Sequence, residues 1–305
     1  MRITAVVLVF NEELHIARCL SSIREIASDI VIIDCFSTDR TVEIAQSFGA
    51  KIFQHKWVGH SAQFNWALLQ LDSSTEWVLR IDADEILSQE LIHEINHRMP
   101  TLDKSINGVY FGRRMKFQGR LIKHGGLFPI RILRLFRFGF GKCEKRCMDE
   151  HIIVSGGTFE LEGEIIDDNL HSLNWWITKH NKYSNLEVVD LLNLEFKFME
   201  LESLATFSNK GPGFKRWLKE SIYVHAPLGY RAFAYFIYRY IFRFGFLDGT
   251  WGSAFHLLQG FWYRYLVDLK VLEVKHFMRT NNVGIEQAIF SVLNIDVSIY
   301  SKIKD

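Results

Sequence analysis

Cysteine is scarce in this chain, charge of either sign is not in excess, and long uncharged apolar runs are missing. The four cysteines, Cys19, Cys35, Cys143 and Cys147, are too few and too scattered for a secreted disulfide framework. No stretch reaches the roughly 18 uncharged apolar residues that a membrane-spanning helix needs. The longest candidate, 249–263, lies between Asp248 and Arg264 and contains His256 and Gln259. The opening run MRITAVVLVFNEE meets Asn11, Glu12 and Glu13 rather than a small-residue cleavage site, so no secretory signal is expected. A reducing, cytoplasmic setting is expected. With 36 basic and 35 acidic residues, the formal net charge of +1 excludes a general polyanion binder.

Glycine is absent where two common nucleotide folds require it. A dinucleotide-binding domain wants G-x-G-x-x-G after its first strand, so that backbone can approach a pyrophosphate. Here that position reads VFNEEL. There is no G-x-x-x-x-G-K-S/T phosphate loop either. Any diphosphate has to be met by other means.

What the chain does have is a strand–helix alternation over its first hundred residues. ITAVVLVF (3–10) is a continuous apolar run, as in a strand covered on both faces. Asn11 is placed to cap a helix carrying Leu14, Ala17, Leu20 and Ile23 along one side. DIVIID (29–34), AKIFQH and EWVLRID read as further strands. RTVEIAQSF, capped from Ser37–Asp39 and stopped by Gly49, SAQFNWALLQL, and SQELIHEINHR with Ser88 as cap read as helices. This β-α-β-α order predicts an α/β fold with a mostly parallel sheet, whose ligands gather at the C-terminal strand ends. Asn11, Asp34, Asp82 and Asp84 all fall there.

VLRIDADE (78–85) ends a buried strand with three carboxylates in four positions. Like charges that close need a cation between them. Aspartates two apart past a strand end can share a hard divalent ion such as Mg²⁺ or Mn²⁺, which bridges protein carboxylates to substrate phosphates. An isolated D-x-D also arises as a capping Asp beside an exposed one; its place after a fourth strand, with Asp34 after the second, favours the site.

Taken together, VVLVFNEELHIARCLSSI, DIVIIDCFSTDRTVEIAQSFGAKIF and WVLRIDADE resemble the family 2 glycosyltransferases of the GT-A fold. Within them the chain is most similar to the branch that includes lipopolysaccharide inner-core β-glucosyltransferases. The resemblance continues through GRRMKFQGRLIKHGGLFPIRILRLF, DEHIIVSG and NLHSLNWWITKHNKYSN to about residue 273. It implies Asn11 and Glu12 in the nucleotide pocket, Asp34 on the nucleobase, Asp82 near ribose and diphosphate, and Asp84 on the metal. It implies a carboxylate base in the second half as well. Related sequences carry His-Glu where this chain has Asp149-Glu150, so Glu150 is the expected base and Asp149 the alternative. His171, in NLHSL, is a further candidate metal ligand or a hydrogen-bonded histidine. The resemblance implies an inverting, metal-dependent transfer from a nucleotide-diphosphate sugar, a UDP-sugar, to a lipid-linked or lipopolysaccharide-type acceptor. Sugar transfer to polyprenyl phosphate and a non-catalytic membrane-associated binding protein are the alternatives.

The expected organisation is a catalytic domain over 1–207, with a nucleotide-sugar half to about 100 and an acceptor half beyond. A linker, SNKGPG (208–213), a helical region (214–275) and a tail (276–305) follow. Short strands and glycine turns are expected from 107 to 170, then a helix over 173–196. Residues 113–146 hold eleven Lys and Arg against Glu144 alone, a solvated basic face or a steering field for an anionic acceptor. No recognition motif accompanies that charge, so nucleic acid is not an expected partner. Cys143, Cys147 and His151 would share a helix face and suggest zinc, but a fourth ligand is missing and the texture is strand and turn. In YRAFAYFIYRYIFRFGF, Phe233, Phe236, Ile237, Tyr240, Ile241 and Phe244 recur at helical spacing, with Arg239 and Arg243 on another side. A second helix is expected from Ser253 to Glu273 and a small one in GIEQAIFSVLNI. Aromatics interleaved with Arg suit the headgroup boundary, implying a peripheral location on the inner face of the cytoplasmic membrane. The other reading is helices that pack on the catalytic domain or form a dimer contact.

Overall fold

Ile3–Val9 forms β1, and six of its seven residues are buried, as a run covered on both faces requires. In the computed structural model, which describes residues 1–128, 130–144, 150–199 and 227–297, β1 is the hinge of the first sheet. Asp149, Cys147, the 208–213 linker and residues 298–305 of the tail lie outside the described residues. β2 (Asp29–Asp34) lies parallel to β1 with Asp34 opposite Val9. β3 (Lys51–Gln54) lies parallel to β2, and β4 (Trp77–Arg80) parallel to β1 on its other side. The connecting helices are α1 (Ile16–Ile23), α2 (Thr41–Ser47) and α3 (His60–Leu68), with α4 (Gln89–Arg98) further on. Ser88 caps α4 as expected, its hydroxyl accepting from Leu91 N at 3.2 Å.

α1 departs from the expected pattern. It begins at Ile16, no side chain caps it, and its buried stripe is Ile16, Cys19, Leu20 and Ile23, leaving Leu14 half exposed. The cause is Asn11, which adopts a left-handed conformation (φ 55°) and spends its side chain on another loop.

β5 (Glu85–Leu87) is a brief strand just before α4. Beyond α4 the expected short strands alternate with longer ones, and β6 (Ile106–Phe117) and β11 (Gly157–Asp168) have twelve residues each. Between them come β7 (Arg120–Leu121), β8 (Ile130–Arg137), β9 (Gly141–Cys143) and β10 (Ile152–Val154). β9 and β10 pair antiparallel as a separate ribbon, so Cys143 and His151 share no helix face; His151 Nδ1 instead meets Glu144 Oε1 at 2.9 Å. The main sheet runs β3-β2-β1-β4-β8-β6-β11-β5, with β7 on β6. β8 is antiparallel to both β4 and β6, β11 is parallel to β6, and β5 is antiparallel to β11. Six of the eight strands on that path therefore point one way. The α/β, mostly parallel expectation holds.

This order forces the sheet to curl. β4 and β5 are four strand spacings apart, about 19 Å if flat. Only residues 81–84 join them, and five fully extended steps reach about 17 Å. The connection is not even extended, because Glu85 N donates to Asp82 O at 2.9 Å in a tight turn. The far edge must therefore come round to the end of β4. Gly163 permits the covering of β11 by α4: a Cβ there would sit 2.4 Å from Leu91 Cα.

The chain divides at Ser172/Leu173 into two compact units. α5 (Leu173–Phe196) matches its expected span, yet it belongs with the later helices and not with the unit that precedes it. In that second unit α6 (Tyr230–Ile237) runs on through a π turn to Phe242. An unbroken helical run then joins α7 (Gly249–Phe255), a π segment and α8 (Tyr263–Asn281), longer at both ends than Ser253–Glu273. α9 (Ile285–Leu293) completes it. Val188 and Leu192 of α5 pack with Val267, Val271 and Val274 of α8 and Ile289 of α9. Arg264 meets Glu187 at 2.7 Å across the same contact. No described helix is long and apolar enough to cross a membrane.

Candidate active site

The loops that follow β1 and β2 are zipped together. Asn11 N donates to Ser37 Oγ (2.9 Å), Thr38 N to Asn11 Oδ1 (2.8 Å), and Glu12 N to Thr41 Oγ1 (2.7 Å). Asn11 is thus a cross-link between loops where a helix cap was expected. Asp34, at the end of β2, has no exposed surface; its carboxylate accepts from Ser37 N at 3.0 Å and from Gln54 Nε2 at 3.1 Å. It shapes the turn at 35–38 from beneath.

The acidic turn finds its cations in arginine. Arg134 of β8, 6% exposed, places Nη2 2.8 Å from Asp82 Oδ2 and 2.9 Å from Glu85 Oε1. Arg113 of β6 lies 3.4 Å from Glu85 and 2.5 Å from Asp167. Burial would raise Asp82, but the charges of Arg134 and Arg80 outweigh it and hold the carboxyl well below the usual range. Glu85, fully buried, goes the other way: burial lifts it to about 7, with Asp82 adding to the rise and Arg134 and Arg113 opposing it. Asp167 is lifted by burial to about 6 against the pull of Arg113. The three carboxylates of the turn therefore differ in kind. Glu85 is structural, Asp82 is an ion-paired anion with a third of its side chain exposed, and Asp84 has no arginine partner among the described residues.

Asp84 faces the loop after β11. Its Oδ2 accepts from Asn169 Nδ2 at 3.0 Å, and its backbone carbonyl from Asp168 N at 3.0 Å. Its other carboxylate oxygen makes no hydrogen bond among the described residues. Asn169 Oδ1 in turn accepts from His171 N at 3.0 Å, so Asp84 and His171 are tied to the two sides of one asparagine. Arg18 and Lys116 neutralise Asp168, at 3.0 and 3.1 Å. His15, fully buried, links this loop to the first one: its Nδ1 meets Glu12 Oε2 at 2.6 Å, and its Nε2 accepts from Leu170 N at 2.9 Å. The polar atoms of Glu12, His15 and His171 lie within 4.8 Å of one another.

A divalent cation fits this donor set. Both ring nitrogens of His15 are engaged and Asp82 carries Arg134, while Asp84 keeps one oxygen open and shares Asn169 with the backbone N–H of His171. One or two carboxylates with an imidazole suit Mn²⁺ or Mg²⁺ whose other ligands are substrate oxygens. Arg80, at the end of β4, donates to the backbone carbonyl of Glu150 at 3.4 Å and to His60 Nε2 at 3.0 Å, and its charge acts on Asp82. His60 stays neutral, pushed down to about 3 by burial and by Arg80. Thus Asn11, Asp34, Glu12, Asp82, Asp84 and His171 end or follow strands of one unit, and Glu150 of the same unit precedes β10 with its backbone against Arg80; Asp149 lies outside the described residues. The sequence reading missed His15, Arg18, Asn169, Arg113 and Arg134 as parts of the site. For Arg134 a signal existed: it sits within ILRLF, a strand too apolar to leave a guanidinium on the surface.

Residues 4–157, half of the chain, match the profile of glycosyl transferase family 2. The chain belongs to that family. Among curated relatives, an uncharacterized glycosyltransferase of Rickettsia bellii is 40% identical over 96 residues, 32% of this chain and 32% of the relative. The match thus spans about a third of that relative's length. The lipopolysaccharide core biosynthesis glycosyltransferase LpsC of Rhizobium meliloti is 29% identical over 192 residues, 61% of this chain and 70% of LpsC. Of solved structures, glucosyl-3-phosphoglycerate synthase from Mycobacterium tuberculosis, in complex with Mn²⁺, UDP and glucosyl-3-phosphoglycerate, is 21% identical with a TM-score of 0.31. That likeness covers 37% of this chain and 44% of the other. The family-2 profile ends at residue 157, so Asp84 lies inside it and the Asn169–His171 loop outside.

Proposed function

We propose that the protein is an inverting, metal-dependent glycosyltransferase that moves a sugar from a nucleotide-diphosphate donor, a UDP-sugar, to a hydroxyl of a lipopolysaccharide-core-like or other lipid-linked glycan. The observation that carries this reading is the bridge Asp84–Asn169–His171, which joins the acidic turn of the family-matched half to a loop beyond it. Asp84 and His171, with Asp82, would hold Mg²⁺ or Mn²⁺, which when bound supplies Lewis-acid charge beside the donor diphosphate. Asn11, Glu12 and Asp34 frame the nucleotide, and Arg134 keeps Asp82 ionised. Glu150, or Asp149 beside it, takes the proton of the attacking hydroxyl. As the new bond forms at the anomeric carbon, the bond to the diphosphate breaks and the leaving group departs with its electron pair. Attack opposite the leaving group inverts the centre. The similarity to LpsC supports a core-type acceptor, and the aromatic helices of the second unit support work at the inner face of a membrane.

The test is nucleoside diphosphate release from a panel of nucleotide sugars with Mn²⁺ or Mg²⁺. Chelator and Asp84→Ala should each abolish it. Glu150→Gln should lower acceptor-dependent transfer at least about a hundredfold while leaving donor binding intact. Release that survives both chelator and Asp84→Ala would refute the metal assignment.

A further inference from the structure

Between Tyr230 and Leu257 the chain has only four charged side chains, Arg231, Arg239, Arg243 and Asp248. Three of them are taken inward. Arg231 is buried against Asp268. Arg239, expected beside Arg243 on an outer face, is 1% exposed and donates to Gln259 Oε1 and to His256 Nδ1. The side chain of Asp248 is 2% exposed, with its carboxylate 3.0 Å from His256 Nε2. The imidazole thus accepts from Arg239 on one nitrogen and donates to Asp248 from the other. The turn above packs directly on this chain of groups, since a Cβ at Gly245 would lie 2.8 Å from the His256 ring.

What remains outside is apolar and cationic. Ile241, Phe242, Phe244, Phe246, Leu247 and Trp251 are between 43% and 68% exposed, and Arg243 is the one exposed charge among them. Phe244 is held at φ 57°, a conformation that an aromatic residue rarely adopts, and the rings of Phe244 and Phe246 lie 6.2 Å apart. A core would not collect exposed rings at a turn, and a solvated turn would not hide its only acid.

We propose that the turn at 241–251 is a membrane-inserting tip, and that its occupant is the interface of a bilayer bearing anionic headgroups. Large apolar side chains enter the boundary between headgroups and acyl chains, with Arg243 at phosphate level. Sequestering Asp248 with His256 and Arg239 removes the one carboxylate that such a surface would repel. The inference deepens the membrane location proposed above and rests on that location, but not on the transfer chemistry.

Co-sedimentation of the full chain with phosphatidylcholine vesicles, with and without phosphatidylglycerol, tests it. The protein should bind the anionic vesicles more tightly. The double variant Phe242→Ser/Leu247→Ser should lower the bound fraction at least about tenfold. Arg243→Glu should abolish the preference for phosphatidylglycerol, and Leu69→Ser, an exposed apolar residue of the first unit, should change nothing. Unchanged urea midpoints and unchanged nucleoside diphosphate release in all variants would exclude misfolding. Full binding by the double variant, or no binding by the wild type, would overturn the proposal. So would a change in oligomeric mass of the double variant without lipid, which would give the tip to a second copy. Vesicle binding that persists while no donor is turned over would strike the transfer reading and leave the tip standing.

Discussion

Replacing Arg134 by methionine removes the guanidinium that Asp82 and Glu85 share while keeping much of its volume. Both carboxylates lie within 3 Å of Nη2, and Glu85 has no exposed area. Breaking a buried ion pair by deleting one partner costs about 3–5 kcal/mol, because the remaining charge is left uncompensated. The buried acid has one escape, which is to take a proton. Glu85 already stands at about 7 against an ordinary 4.5, raised by burial, and loss of Arg134 pushes it higher. A carboxyl whose folded value lies above its unfolded one binds its proton more tightly in the native state. Its contribution is most favourable below about pH 4.5 and is lost as pH rises through the folded value. Asp82 has the opposite sign: held low by Arg134 and Arg80, it stabilises above its ordinary 3.8 and loses that contribution only as pH falls further. Between about pH 5 and pH 8 the Glu85 effect therefore dominates. Urea unfolding, with hydrogen exchange of the β4 and β8 amides as a local probe, should show a deficit of about 3–5 kcal/mol near pH 8. That deficit should narrow by at least about 1 kcal/mol near pH 5. A deficit below about 1 kcal/mol near pH 8, or one that widens on acidification, would refute the account of the acidic turn.

Two further outcomes follow from single contacts. His15→Leu leaves Leu170 N–H and the Glu12 carboxylate without their partner; stability should drop by about 1–3 kcal/mol. In the same variant Mn²⁺ affinity, read by electron paramagnetic resonance, should weaken about tenfold; unchanged affinity would make His15 merely structural. Gly163→Ala sets a methyl against the backbone of α4 and should cost about 1–3 kcal/mol in thermal unfolding, and a neutral result would show that β11 and α4 can part freely.

The first four strands were legible because each is a short apolar run closed by a polar residue, and the Ser88 cap because its helix follows at once. The Asn11 cap was misplaced for a physical reason. An asparagine after a strand can serve the next helix or the neighbouring loop, and only the parallel pairing of β1 with β2 brings Ser37 and Thr38 within its reach. The curled half was not legible, since the β8-β6-β11-β5 order depends on pairings such as Asp167 with Glu85, between segments far apart in the chain. The cations of the acidic turn went unread for the same cause. The basic stretch was taken whole as a surface, although Arg134 stands between Leu133 and Leu135 in a strand with no polar alternation. The nearness of Asp84 to His171 came through resemblance alone, and the asparagine that joins them carried no signal.

The strand order also sets a timetable for synthesis. A ribosome that has delivered the first hundred residues has made every acid of the turn at 82–85, but neither Arg113 nor Arg134, and not the β11 edge on which β5 must lie. Until those arrive, β5 has no partner strand and Glu85 neither of its ion-pair partners. The centre of the site is therefore among the earliest parts of the chain to be translated and among the last to settle.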